Sequence, residues 1–316
     1  MARRLDRARR CQRGRGDRLR RRLRGAAGGP GRGPPERRPR PARPLGGRAM
    51  TRRGAAGLAL LALAFLVAFA GPLVSPWRWD ETDFTAFRQA PSTRHWLGTT
   101  QSGRDVFALT LRGAQKSLVI GLLAGVLSTV LAALVGAVAG FAGGLLDRTL
   151  MRGADLLLVL PSFLVVAVLA PRTGGDWPLL VPLLAAFMWM VTARMTRAVA
   201  ISLRGREYVL AARFAGVGTP RVIVRHLLPG LASLLAVDAG LNVSAAIVAE
   251  SGLSCLGLGV RPPDVSLGTV IADAHGAAAV DPWWFGFAAG FLLLIVLAVN
   301  LLGDGLRDAL DPVGGR

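Results

Sequence analysis

The stretch of sequence that decides the fold is residues 117–146, SLVIGLLAGVLSTVLAALVGAVAGFAGGLL, which contains no Asp, Glu, Lys or Arg. An α-helix needs about 20 apolar residues to cross the hydrocarbon core of a membrane. This stretch exceeds that length and carries no polar face that would suit the surface of a soluble protein. It therefore predicts a membrane-spanning helix.

Four further stretches of the chain are also free of charged residues. They are residues 54–77, 156–171, 177–193 and 282–303. The first and the last are long enough to span a membrane, whereas the two between them need flanking residues to do so. A sixth apolar segment, 230–250, is interrupted by Asp238 and Asn242. We therefore expect an all-α integral membrane protein with six transmembrane helices.

These stretches divide the chain into four parts. We expect a basic tail over residues 1–53, a first transmembrane helix over 54–76, an outer segment over 77–115, and a five-helix core over 116–316. A cleavable signal peptide is not expected at the first helix, because the stretch is long and lacks a clear small-residue exit.

The net charge of +20 belongs almost entirely to the tail. Residues 1–53 hold 20 Arg and 3 acidic residues, which leaves +3 for the remainder. A segment of Arg, Gly and Pro has almost nothing to bury, so we expect disorder. An equally good alternative is that the start codon is misplaced and that translation begins at Met50, because Met50 is followed by Thr-Arg-Arg and an apolar run. The interpretation as a membrane-tethered nucleic-acid-binding protein depends solely on residues 1–49, and we expect no nucleic-acid partner.

The distribution of Arg and Trp predicts the orientation. If Arg52 and Arg53 lie inside, the loops 142–153 and 194–229 also lie inside, and they carry nine Arg. Cytoplasmic loops are enriched in Lys and Arg, and Trp prefers the membrane interface. Five Trp fall at the predicted outer boundary: Trp77, Trp79, Trp177, Trp283 and Trp284. We expect an N-in, C-in protein of a prokaryotic cytoplasmic membrane.

Small residues recur four positions apart within the apolar stretches. The pairs are Gly121 with Gly125, Gly136 with Gly140, and Gly286 with Gly290. Such pairs let helix backbones approach closely in lipid. The chain has 40 Gly, so chance explains any single pair equally well. Together the pairs predict a packed helical bundle.

The chain lacks the motifs of common catalytic and nucleotide-binding sites. A P-loop needs Gly-Lys followed by Ser or Thr, and the sole lysine, Lys116, follows Gln115. Cys11, Cys255 and three scattered His support neither a disulfide framework nor a metal site. We expect no catalytic residue, metal or cofactor. Energised transport would then draw on a partner protein or on an ion gradient.

The most informative loop is residues 207–229, EYVLAARFAGVGTPRVIVRHLLP, which we call the elbow. It predicts two short helices. Glu207 suits the start of the first helix and Gly216 its end. Thr219 is expected to cap the second helix and Pro229 to stop it. A basic loop that merely fixes the membrane topology is the simpler alternative.

The elbow resembles the EAA loop of permease subunits in ABC importers, and in particular those of the dipeptide, oligopeptide and nickel branch. The matching positions are Glu207, Tyr208, Val209, Ala211, Ala212, Gly216, Arg225, His226, Leu228 and Pro229. Motifs at His95–Thr99, Gly103–Asp105 and Glu250–Gly259 also fit this branch. The resemblance covers most of residues 54–316 and is closer to the C permease of such systems than to the B permease.

The resemblance implies the type I ABC importer permease fold. The implied partners are a second permease in a heterodimer, two separate ATPase subunits, an extracytoplasmic solute-binding protein and the surrounding membrane lipid. The cargo would be peptides, or nickel or other small solutes. The EAA loop at 202–229 would dock on an ATPase subunit. Ala211, Ala212 and Gly216 would allow close docking, Glu207 would pair with a basic group, and Arg213 would contact the rim.

Three polar residues in the interrupted segment are candidates for the transport pathway: Asp238, Asn242 and Glu250. An ionisable group inside a span is costly and usually faces a cavity or a partner helix. For Asp238, pathway lining and a structural hydrogen bond between helices are equally good interpretations. Glu250 lies near the outer end, where a wet mouth or a structural role is expected.

The rival function is a secondary transporter or channel that needs no ATPase. Such proteins often contain inverted repeats and paired interrupted helices. The sequence shows neither, and this rival leaves the elbow unexplained.

Overall fold

The computed structural model describes residues 52–310, so the tail expected over residues 1–53, with its alternative start at Met50, lies outside the described part except for Arg52 and Arg53. Within it, all elements are helical apart from two isolated β-bridges. The helices are α1 (Arg52–Val74), α2 (Val106–Ala142), α3 (Gly144–Val159), α4 (Ser162–Leu169), α5 (Trp177–Arg204), α6 (Glu207–Phe214), α7 (Thr219–Val222), α8 (Leu228–Cys255), α9 (Leu267–His275) and α10 (Pro282–Leu310). A 3₁₀ turn, Ala170–Thr173, follows α4, and a π turn, Ile223–Leu227, joins α7 to α8.

Five of the described helices are long and apolar enough to cross a membrane. They are α1, α2, α5, α10 and the continuous helix Thr219–Cys255, which contains α7, the π turn and α8. The stretch 177–193, short by itself, becomes a 28-residue helix because α5 continues to Arg204. The expected first span, 54–76, is the 23-residue helix α1.

A sixth candidate span is a bent pair of helices. The chain bends by 78° between α3 and α4. The two helices are long and apolar enough to cross a membrane only if they are counted together as one span. The break falls at Leu160 and Pro161, where the backbone of Leu160 is extended. Proline disfavours a helical conformation in the residue before it, which explains the position of the break. Because α3 begins at Gly144, most of the loop expected over 142–153 is helical.

α2 lies at the centre of the bundle and packs closely against α8 through its first glycine pair. A Cβ atom on Gly125 would lie 2.6 Å from the backbone nitrogen of Val243, and one on Gly121 would lie 2.2 Å from the side chain of Ile247. No side chain larger than hydrogen fits at these distances. The sequence prediction of a close contact at this pair is confirmed.

The second pair, Gly136 with Gly140, packs against α5 in the same way. A Cβ atom on Gly136 would lie 2.5 Å from the carbonyl oxygen of Ala193. For Gly286 and Gly290 the described part of the chain supplies no such contact, because a Cβ atom on either would meet no heavy atom within 4 Å there.

The segment between α1 and α2 folds around a buried histidine. His95 is fully buried, its Nδ1 lies 2.9 Å from Oδ2 of Asp105, and its Nε2 lies 3.5 Å from Oδ2 of Asp83. Asp105 also caps α2 by accepting a hydrogen bond from the backbone N–H of Ala108. α2 thus begins at Val106, and residues 106–115 of the expected outer segment 77–115 are helical.

Candidate functional site

The first helix of the elbow forms where the sequence placed it. α6 begins at Glu207, and Gly216 follows its end with a φ of 77°. Glycine occupies this left-handed region without the steric cost that a Cβ atom adds. The predicted helix and its glycine end are confirmed.

The second helix of the elbow differs from the prediction in two respects. The cap position is Gly218 and not Thr219, and the hydroxyl of Thr219 makes no capping hydrogen bond. Pro229 does not stop the helix, because a five-residue π turn precedes it and the chain continues as α8. The wider π turn removes the need for a regular i to i−4 hydrogen bond at Pro229, which has no N–H to donate.

One face of the elbow is buried against the transmembrane helices. Its buried members are Val209, Val222, Ile223 and Leu227. They pack against Ala137 and Phe141 at the end of α2, and against Ala200 near the end of α5. A displacement of the elbow would therefore be transmitted directly to α2 and α5, because close-packed interiors deform little.

The opposite face of the elbow is exposed, and it carries large apolar side chains. Phe214 is 90% exposed, Val224 61% and Tyr208 46%. Phe214 and Val224 were not among the residues that the sequence suggested. The signal for Phe214 was present, since five residues at about 100° each place it away from the buried Val209.

The remaining elbow residues are exposed or half-buried. Glu207, Ala211, Arg225 and Pro229 are exposed, whereas Ala212, His226 and Leu228 are half-buried. Nδ1 of His226 is buried without a hydrogen-bond partner in the described part of the chain. The exposed guanidinium of Arg213 lies 5.6 Å from the centre of the Phe141 ring, so it helps to hold α6 on α2.

Asp238 and Asn242 belong to a polar cluster that joins three helices. The hydroxyl of Thr192 in α5 donates to Oδ1 of Asp238 at 2.8 Å, and Nδ2 of Asn242 donates to Oδ2 at 2.7 Å. Thr129 of α2 lies 3.2 Å from the same Asn242 nitrogen. These four residues are called the polar cluster below. Asp238 remains partly accessible.

Glu250 has a different environment from Asp238. It is fully buried, and it accepts hydrogen bonds from the hydroxyls of Ser254 at 2.7 Å and Ser117 at 2.8 Å. Each of these hydroxyls in turn accepts a backbone N–H, from Val260 and Leu267 respectively. The arrangement ties α2, α8 and the start of α9 together, which favours the structural interpretation of Glu250.

Comparison with known proteins identifies the family. Residues 132–313, which include the elbow and three of the four residues of the polar cluster, match the family described as "Binding-protein-dependent transport system inner membrane component". The chain belongs to this family. Its members are inner-membrane permease components of ABC transporters, so the chain is a multi-pass membrane permease and a non-catalytic component.

Individual relatives of the chain are permeases of peptide transport systems. The chain is 53% identical over 263 residues to the "Oligopeptide transport system permease protein OppC" of Mycobacterium tuberculosis (strain ATCC 25618 / H37Rv), which covers 83% of this chain and 90% of the relative. It is 39% identical over 258 residues to the "Dipeptide transport system permease protein DppC" of Bacillus subtilis (strain 168), which covers 81% of each. The resemblance to the peptide branch, stated from the sequence, is confirmed.

Proposed function

We propose that this permease imports peptides through a membrane complex powered by two separate ATPase subunits. The names of the relatives, oligopeptide and dipeptide permeases, support peptides as the cargo over nickel or other small solutes. The observation that carries the proposal is the elbow, which is anchored on the bundle by one face and exposes Phe214, Tyr208 and Val224 on the other.

The exposed face of the elbow has the chemistry of a docking surface. Large apolar side chains that remain uncovered on a folded protein mark interaction sites when they cluster. Ala211 and Gly216 lie beside Phe214 and leave room for a partner's backbone, and Glu207 offers an acidic group at the rim. Within residues 52–310 the Glu207 carboxylate forms no ion pair. A basic groove on an ATPase subunit would complement this surface.

The proposed topology has six spans with both termini in the cytoplasm. Arg52, at the start of α1, and the elbow lie on the same side only if an even number of spans separates them. The bent pair α3–α4 is therefore counted as the third span, which places four spans (α1, α2, α3–α4 and α5) between Arg52 and the elbow. The arginines of the elbow support a cytoplasmic location, and the Trp residues at the opposite ends of α5 and α10 support the outer boundary.

The polar cluster is proposed to line the transport pathway at the contact with a second permease. Asp238, Leu241, Ala245 and Val248 share one face of α8, since their spacings of three and four residues follow the helical repeat. Leu241 and Val248 are 49% and 53% exposed. A second permease would cover this face, and Asp238 would then contact the cargo between the two subunits. Glu250 lies roughly a third of a turn away from Asp238 and is enclosed.

We assign the delivery of cargo to an extracytoplasmic solute-binding protein, because the family description calls the transport system binding-protein-dependent. ATP hydrolysis by the two ATPase subunits would move the elbows of the two permeases, which dock on those subunits. Rigid-body displacement of α2 and α5 would then open the pathway to alternate sides of the membrane.

The elbow is tested with Gly216→Leu and its matched control Gly153→Leu. A Cβ atom at either position would meet no heavy atom of residues 52–310 within 4 Å, but only Gly216 has a positive φ. Gly216→Leu should therefore distort the elbow without a clash, while Gly153→Leu should be harmless. We expect Gly216→Leu to abolish peptide uptake and peptide-stimulated ATP hydrolysis by the reconstituted complex while the protein still inserts and folds.

The charge of the elbow gives a second variant. Glu207→Lys should weaken binding of the ATPase subunits during co-purification, because a basic group would then face a basic groove. Unchanged uptake in both Gly216→Leu and Glu207→Lys would refute the role of the elbow.

A further inference from the structure

A large cavity lies at the end of the bundle opposite the elbow. Its volume is about 880 Å³, and its walls come from the segment before α2, the loop after α8, and α9. Leu109, near the start of α2, borders this cavity, whereas Phe141, near the end of α2, borders the elbow. Sites for small ligands typically have volumes of about 300–1,000 Å³, so the cavity is large enough for a short peptide.

Three charged side chains that line the cavity form no salt bridge. Arg104, Arg261 and Asp273 have no oppositely charged atom within 4.0 Å in residues 52–310. Asp264, in the same wall, shows the contrast, because its Oδ1 lies 2.9 Å from Nζ of Lys116. Burial raises the pKa of the Asp273 carboxyl, and the nearby charge of Arg104 opposes this shift, so these two groups lie close together without a direct contact. The three groups together suit a ligand that carries both signs of charge.

Local structure fixes the backbone of Arg104 and Asp273 and the side-chain stem of Arg261. The side-chain stem of Arg261 lies across Gly175, where a Cβ atom would come within 2.6 Å of it. The backbone N–H of Arg104 donates to the hydroxyl of Thr100 at 3.1 Å. Asp273 lies on α9, whose first turn is fixed by a capping box that starts at Ser266. Charged groups on fixed elements bind at a lower entropic cost than mobile ones.

We propose that this cavity binds a short peptide whose two termini are both free. Arg104 and Arg261 bind the terminal carboxylate, for which the guanidinium fork is suited. Asp273 binds the terminal ammonium group. This inference rests on the proposed function, since it gives the cargo a binding site on the permease itself before the polar cluster is reached.

The test measures binding of trialanine to the assembled complex of permeases and ATPases, without the solute-binding protein, by calorimetry. Trialanine amide lacks the terminal carboxylate and N-acetyl-trialanine lacks the ammonium group, and both serve as comparison ligands. Arg261→Gln should weaken trialanine about tenfold, the size of one charge-assisted hydrogen bond, and should leave the amide unchanged. Asp273→Asn should weaken trialanine similarly and leave the N-acetyl peptide unchanged. Arg172→Gln and Asp176→Asn, which alter exposed residues outside the cavity, should have no effect.

Three results would overturn the site. The first is equal binding by the cavity variants and the controls. The second is an equal loss for all three ligands, which would indicate general damage to the fold. The third is a wild-type complex that does not bind trialanine but loses affinity for the solute-binding protein in Arg261→Gln, which would make the cavity a protein-docking surface. ATP-driven peptide uptake, measured in parallel, separates the two proposals. Normal uptake without cavity binding rejects the site alone, and cavity binding without uptake rejects the proposed function alone.

Discussion

Replacement of Ser117 by alanine tests the hydrogen bonds that join α2, α8 and the start of α9. Ser117 is fully buried, its hydroxyl donates to Oε2 of Glu250 at 2.8 Å, and its oxygen accepts the backbone N–H of Leu267 at 3.1 Å. The substitution therefore removes one donor from a buried carboxyl group and leaves a buried N–H at the start of α9 without a partner.

The expected cost follows from these two losses. An unsatisfied buried polar group costs about 1–3 kcal/mol, and a typical hydrogen bond is worth about 0.5–1.5 kcal/mol. The two terms overlap because they share one hydroxyl, so we expect the free energy of unfolding to fall by about 3 kcal/mol. For a chain of this size, this corresponds to a fall in melting temperature of about 5 °C.

The assay is thermal unfolding of the purified protein in detergent, followed by the fraction that remains monodisperse after heating. Ser251→Ala is the matched control, because its hydroxyl is also buried near Glu250 but lies 3.4 Å from Oε2, at the limit of a hydrogen bond. We expect the control to lose less than about 1 kcal/mol. Equal melting temperatures for the two variants would refute the proposed role of Ser117.

Two further predictions concern the helix contact and the segment before α2. Gly125→Leu should prevent formation of a monodisperse protein, because its Cβ would lie 2.6 Å from the backbone of Val243. The control Gly290→Leu should be tolerated, since no heavy atom of the described residues lies within 4 Å of a Cβ at that position. Size-exclusion profiles in detergent distinguish the two variants. Hydrogen bonds from the hydroxyl and N–H of Thr85 hold the pKa of Asp83 below its ordinary value. Its contribution to stability is complete above the unfolded pKa of about 3.9 and is lost as the pH falls through the lower folded pKa. Melting temperatures measured against pH should show a weaker acid dependence for Asp83→Asn than for the exposed control Asp80→Asn, and identical curves would contradict the assignment.

Much of the membrane architecture follows from local sequence. The uncharged stretch 117–146 lies within α2 and the short helix after it, and Glu207 and Gly216 mark the ends of α6. These features depend on composition and on residues close together in the chain. A long apolar stretch has few alternatives to a helix, because every backbone group must be satisfied within lipid.

Features that depend on distant residues could not be predicted in the same way. Glu250 is enclosed by Ser117, which is 133 residues away, and no local pattern reveals that contact. Pro229 looked like a helix stop because the rule for proline assumes a regular α-helix, and the π turn before it removes that assumption. The polar cluster also needs three helices to be in place before Asp238 meets Thr192.

The exposure of Phe214 shows a further limit of sequence reasoning. Its position opposite Val209 could be derived from helical geometry, but its 90% exposure depends on how α6 is seated on α2 and α5. The cavity at the other end is similarly invisible in sequence, because Arg104, Arg261 and Asp273 come from three separate segments.

The central claim is that this permease is driven by ATPase subunits that act through the elbow. The most direct measurement is peptide uptake into proteoliposomes that contain the full complex, with ATP supplied to the ATPase side and an ionophore present to dissipate ion gradients. The account predicts uptake that requires ATP, survives the ionophore and disappears in Gly216→Leu. Uptake by the permeases alone, driven by an ion gradient and abolished by the ionophore, would contradict it.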